Sequence, residues 1–108
     1  MIASLIKPEL EDAGRFTHAT KTWEALAADR ITYDNTVYLS ERNTADTNFA
    51  LAYLMKSKNA FEEGADIQRS LQFYFMLCSL QADAERMSVI AATLANGGTN
   101  PITGEVVF

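Results

Sequence analysis

Residues 67–81 read IQRSLQFYFMLCSLQ, and they decide the fold. Wound at 3.6 residues per turn, Leu71, Phe73, Tyr74, Phe75, Leu77, Cys78 and Leu80 surround the axis on nearly every side. A helix with no wet face has to sit in the middle of something, so this one is predicted to be the central, buried rod. Immediately upstream, FEEGADI (61–67) reads as a turn around Gly64, with Asp66 placed to cap the helix.

Working outward, helical periodicity recurs almost everywhere. In GRFTHATKTWEALAAD (14–29), Phe16, Ala19, Trp23 and Leu26 return at three- and four-residue intervals, leaving His18, Lys21 and Glu24 to face water. YDNTVYLSERN (33–43) offers Asp34 or Asn35 as an N-cap. TADTNFALAYLMKSK (44–58) is predicted to restart as a new helix at Thr44, whose hydroxyl would cap it while Asp46 complements the N-terminal dipole. DAERMSVIAATLANGG (83–98) is predicted to bury a stripe of Met87, Ile90, Ala91 and Leu94. Ser88, Ala92 and Ala95 form a small-residue side, and Gly97 or Gly98 is the left-handed stop.

The two ends read differently. IASLIK (2–7) looks like the last turns of an apolar helix, stopped because Pro8 disfavours helical geometry at Lys7. PITGEVVF (101–108) turns through Pro101 and Gly104 into a short strand, which needs a sheet to join, and no other good strand is evident. A helix without a beginning and a strand without a sheet make the chain read as a piece of a larger protein. The expectation is all-α: a compact helical subdomain of five to six helices, with residues 1–108 forming a single unit.

Composition narrows the partners. With 108 residues and 48% hydrophobic content, one compact core is the natural size. A net charge of −5, with lysine and arginine scattered, leaves no basic stripe for nucleic acid. Cys78 is the only cysteine, which excludes an intramolecular disulfide framework and a cysteine-based metal motif and fits an intracellular protein. The longest apolar run is too short to span a bilayer, so no membrane is expected.

One polar stretch stands out, SERNTADTN (40–48), which sets the carboxylate of Glu41 seven positions before the amide of Asn48. On one unbroken helix these groups would share a face; across a restart at Thr44 they would converge from the two sides of a corner. A carboxylate attracts an α-ammonium and neutral donors suit an α-carboxylate, so such a pair can read an amino-acid zwitterion. On spacing alone, a solvated and well-capped helix start is the plainer reading. Tyr74, likewise, is by itself most simply a core aromatic with its hydroxyl satisfied.

Taken together, SERNTADTNFALAYLM (40–55), LQFYFMLCSL (71–80) and VIAATLANGGTNPITGEVV (89–107) closely resemble the glutaminase family, serine-dependent amidohydrolases with a β-lactamase-like α/β fold. The likeness spans nearly the whole chain, keeps the order and spacing of the segments, and is nearer to the animal-type enzymes. The resemblance implies that this is a helical segment of the catalytic domain and that L-glutamine is the substrate and L-glutamate the product. It also implies a homo-oligomeric parent, mitochondrial or cytosolic, with no metal or organic cofactor. It assigns Glu41 and Asn48 to the substrate's amino-acid end and Tyr74 to the reacting centre, and implies that the segment, lacking the nucleophile, contains no catalytic serine and is inactive alone.

Ser4 and Lys7 have the S-x-x-K spacing in which a lysine one turn away activates a serine. The interval from Ser4 to Glu41 is far shorter than the family's interval from nucleophile to this motif, so Ser4 is expected to be a decoy. An alternative from another class is a freestanding helical module that docks a protein partner through apolar surface.

Overall fold

The computed structural model describes residues 2–108 and is mostly helical, as the periodicity requires. A 3-10 helix at Ile2–Leu5 precedes α1 (Asp12–Ala27), β1 (Thr32–Tyr33), α2 (Asn35–Asn43), α3 (Asp46–Ser57), α4 (Ile67–Cys78), β2 (Leu80–Gln81) and α5 (Ala84–Ala95). The chain divides into two compact units. One holds the residues through Phe16 together with Asn35–Ser79; the other holds Thr17–Asp34 and Leu80–Phe108.

In the first unit α4 is the centre, as its composition demands, and packs against α2, α3 and the 3-10 helix. Ile67, Leu71 and Phe75 of α4 join Ala45 and Ala52 in a buried cluster, with Tyr38, Phe49, Phe61 and Tyr74 packed on it. The opposite side of α4 presents Phe73, also buried, to Arg15, whose guanidinium carbon lies 4.2 Å from the ring centroid. Arg15 Nε donates to the Ile6 carbonyl at 3.0 Å and Nη2 to the Ala3 carbonyl at 2.7 Å, which binds the 3-10 helix to the unit. Burial first, then the charge of Arg69, lowers the Arg15 pKa, and Asp12, Glu62 and Glu9 oppose that shift. Cys78, at the end of α4, is exposed, so the helix is not dry along its whole length.

Asp66 caps α4 as its position suggests, accepting from the Arg69 amide at 3.1 Å after the turn at Gly64. Asp66→Ala is expected to cost about 1 kcal/mol. The measurement is amide hydrogen exchange in the full-length protein, which should quicken several-fold at Arg69 and leave the amides in the middle of α4 unchanged.

Three local expectations are corrected. The helix does restart between α2 and α3, but Thr44 does not cap α3: its hydroxyl donates to the Ser40 carbonyl at 2.8 Å and so closes α2. Ala45 takes the N-cap position, with no side-chain bond. At the N-terminus, the described residues form a single 3-10 helix, Ile2–Leu5, and Lys7 adopts a left-handed φ of 41° before Pro8.

The third correction concerns α5. Met87 and Leu94 are 52% and 54% exposed, whereas Ile90 and Thr93 are buried, so the buried stripe is rotated from the one predicted. The reason is polar. The Thr93 hydroxyl donates to the Leu26 carbonyl at 2.9 Å, near the end of α1, where helical carbonyls lack intrahelical partners. Leu26, Ala27 and Ile90, flanked by Ile31 and Val107, make the apolar core of this second unit.

Two short ladders complete the second unit. Thr32 and Tyr33 pair antiparallel with Gln81 and Leu80, strands of two residues that carry no alternating pattern to announce them. The C-terminal segment folds back on its own approach, with a bridge from Thr99 to Val106 and with the Val107 amide donating to the Gly98 carbonyl at 2.8 Å. Gly98, at φ 94°, has to be glycine here because a Cβ would collide with the Phe108 carbonyl.

Candidate functional site

Glu41, Asn48 and Tyr74 all fall in the first unit, on three different helices. Glu41 lies in the last turn of α2, half-buried; Asn48 is the third residue of α3, also half-buried; Tyr74 is in the middle of α4. The break at Thr44 and Ala45 means that acid and amide do not share a helix face, and the corner geometry replaces the stacked one. The helix that carries Tyr74, α4, packs against both the helix of the acid and the helix of the amide.

The electrostatics link two of the three. The Tyr74 phenol is held above its ordinary pKa by a hydrogen bond with the Cys78 thiol, by the charge of Cys78, by burial and by the Glu41 carboxylate, in that order. Cys78 follows Tyr74 by four residues, one helical turn, which brings thiol and phenol together. Glu41 therefore lies near enough for its charge to act on the phenol. The result is a phenol that holds its proton more firmly than an ordinary tyrosine.

Asn48 is tied in through its neighbour. The Phe49 ring stands edge-on to Phe75, with centroids 6.4 Å apart at 67°, and Phe75 lies 6.0 Å from the Tyr74 ring. One cavity of about 180 Å³ in this unit is lined by residues including Ser4, Arg15, Glu62 and Arg69, and borders none of Glu41, Asn48 and Tyr74. There the Ser4 hydroxyl, 3% exposed, donates to Glu62 Oε2 at 3.0 Å. Lys7 is exposed in the turn that follows. Among the described residues no three His, Cys, Asp or Glu side chains are grouped to hold a metal ion, and no helix is long and apolar enough to cross a membrane.

Sequence reasoning missed Asn100. It reads as one more turn residue in TNPITG, yet it is fully buried in the second unit. Its Nδ2 donates to the Ala25 and Leu26 carbonyls at 2.9 and 3.2 Å, and its Oδ1 accepts from the Ile102 and Thr103 amides at 2.9 and 3.3 Å. Nothing in an Asn-Pro pair signals an inward side chain.

A family model described as Glutaminase matches residues 1–108. The chain is 43% identical over 108 aligned residues to putative glutaminase 3 of Caenorhabditis elegans, covering 97% of this chain and 18% of that protein. It is 40% identical to the mitochondrial liver isoform of glutaminase from Rattus norvegicus, covering all of this chain and again 18% of the relative. A crystal structure of a probable glutaminase from Bacillus subtilis superposes with a TM-score of 0.87 at 31% identity, covering 99% of this chain and 33% of that one. A Bacillus subtilis glutaminase that matches as well, with a TM-score of 0.87 at 31% identity, has been solved as a covalent complex with 5-oxo-L-norleucine. The chain thus spans under a fifth of the animal relatives and about a third of the bacterial structure, and with the family model matched from end to end it belongs to the glutaminase family.

Proposed function

We propose that this chain is the helical part of a glutaminase catalytic domain and that its role is to recognise L-glutamine. Glu41 attracts the α-ammonium, Asn48 donates to the α-carboxylate, and Tyr74 offers its phenol proton at the reacting centre. What supports this reading is that Glu41, Asn48 and Tyr74 lie on α2, α3 and α4 of one compact unit, with α4 packed on both of the others, and that the Glu41 charge contributes to the raised pKa of the Tyr74 phenol. The family match over the whole chain supplies the substrate. Support for an amino-acid-shaped ligand comes from the bacterial relative, which is found covalently bound to a norleucine derivative.

In the parent enzyme a serine outside this segment attacks the side-chain amide carbon of glutamine. The C–N bond breaks, and nitrogen leaves as ammonia after gaining a proton. Water then splits the acyl ester, releasing glutamate and returning the proton to the serine. In this reading Ser4 takes no part, and its burial together with the bond its hydroxyl donates to Glu62 Oε2 supports that. The parent is a homo-oligomer in this reading, intracellular and either mitochondrial, as the rat relative is by name, or cytosolic.

The test uses the full-length protein. Glu41→Gln and Asn48→Ala are each expected to raise KM for glutamine about tenfold or more while kcat changes less than about threefold, the signature of lost ground-state recognition. The isolated segment should show no turnover. Exposed Leu51, Tyr53 and Leu54 on α3 favour the second reading, a helical docking module. Kinetics unchanged by both substitutions would select that reading.

A further inference from the structure

Tyr74 packs on one buried cluster, and Glu41 and Asn48 each have a close neighbour in sequence that packs on the same cluster. Phe75 is fully buried and belongs to the cluster that also contains Ala45, Ala52, Ile67 and Leu71. Tyr74 lies beside it, with ring centroids 6.0 Å apart. Phe49, the residue after Asn48, meets it edge-on at 6.4 Å. Tyr38, one turn before Glu41 on α2, packs on the same cluster. The first turn of α3 has no side-chain cap to fix it, since Ala45 occupies the N-cap position.

We infer that Phe49 is a positioning residue for substrate recognition: its edge contact with Phe75 fixes the first turn of α3 against α4 and so sets where the Asn48 amide stands relative to Tyr74. This rests on the reading of Asn48 as a substrate contact. An edge-to-face pair depends on direction as well as burial, because the positive ring edge of one partner seeks the negative face of the other. Leucine fills much of the same space and loses that direction. The packing of α3 then tolerates rotation, and the amide carries any rotation straight to the ligand.

The experiment is a double-mutant cycle in the full-length enzyme, reading KM and kcat for glutamine together with melting temperature. Phe49→Leu is expected to raise KM about threefold to tenfold, the range an aromatic edge contact can supply. Phe49→Tyr, which keeps the ring, should return KM to within about twofold of the parent. In an Asn48→Ala background, Phe49→Leu should add less than about twofold, because the amide it positions is gone. A ring that merely fills space would lower the melting temperature and leave KM unchanged, and that result overturns the inference. So does a Phe49→Leu effect that persists in full without Asn48. If Asn48→Ala itself leaves KM untouched, the recognition reading falls and takes this inference with it, an outcome distinct from the other two. Should Phe49→Leu fail to fold, Phe49→Met, flexible enough to fill the gap, runs the same cycle.

Discussion

Phenylalanine in place of Tyr74 in the full-length enzyme is expected to cut kcat for glutamine by about 10²–10³-fold, while KM moves by less than about threefold. The asymmetry follows from what the substitution removes. The ring, its contact with Phe75 and the helix around it all remain, and only one hydroxyl is lost. A donor aimed at charge that develops during acyl transfer contributes to the transition state more than to the bound substrate, so the loss falls on turnover. The structure adds a pH condition. With the Cys78 thiol bonded to it and the Glu41 charge nearby, the phenol holds its proton to higher pH than an ordinary tyrosine. Any alkaline limb of kcat that reports this group therefore lies above the usual tyrosine range in the parent enzyme, and should vanish in Tyr74→Phe. A Tyr74→Phe enzyme with parental kcat would remove the phenol from the reaction altogether.

The second large effect is on stability. Asn100→Ala is expected to cost about 3 kcal/mol, since it removes a fully buried side chain together with its bonds to the Ala25 carbonyl and to the Ile102 and Thr103 amides, while the Leu26 carbonyl keeps the Thr93 hydroxyl. Asn100 joins the end of α1 to the turn that follows α5, through two donated and two accepted bonds, all within the second unit. Thr93→Val removes a hydroxyl bonded to the Leu26 and Val89 carbonyls. It should cost only about 1 kcal/mol, because Asn100 still serves the Leu26 carbonyl. Asn96→Ala is the control. Asn96 is exposed and donates to the Thr99 carbonyl at 2.9 Å, where water can substitute. Thermal unfolding of the full-length protein and limited proteolysis should rank the three in that order, with cleavage in Asn100→Ala concentrated after residue 96. A melting temperature for Asn100→Ala within one degree of the parent would show that the four bonds contribute nothing net.

How much of this was legible beforehand depends on which side chains advertise their partners. The central position of α4 could be read because Leu71, Phe73 and Phe75 put apolar groups on opposite sides of it, even though Gln68 and Gln72 stay exposed, and the cap at Asp66 because an acid before an apolar run has one obvious local use. The phase of α5 could not. Met87 and Leu94 are as apolar as Ile90, and what selects the buried face is a polar contact, Thr93 to the Leu26 carbonyl, between residues 67 positions apart. The β1 and β2 pairing is too brief for any pattern to form. Thr44 was misread for a related reason, since a hydroxyl between two helices can serve either, and here it closes the first one. As for the candidate site, Glu41, Asn48 and Tyr74 emerged from the family resemblance together with the chemistry of zwitterions, and spacing by itself would have left all three as ordinary helix residues.

The interruption at Thr44 and Ala45 has a mechanical consequence. Had residues 35–57 formed one rod, the acid and the amide would be locked about 10.5 Å apart along its axis, and no change short of unwinding could alter that. Two rods joined at an elbow are free of that constraint: the angle between them is set by what each packs on, here α4 for both, and a different angle breaks no rung of either helix. Under the proposed reading of Glu41 and Asn48, a change in what braces the elbow would alter the separation of acid and amide, and with it the length of amino acid they fit, with both residues left as they are.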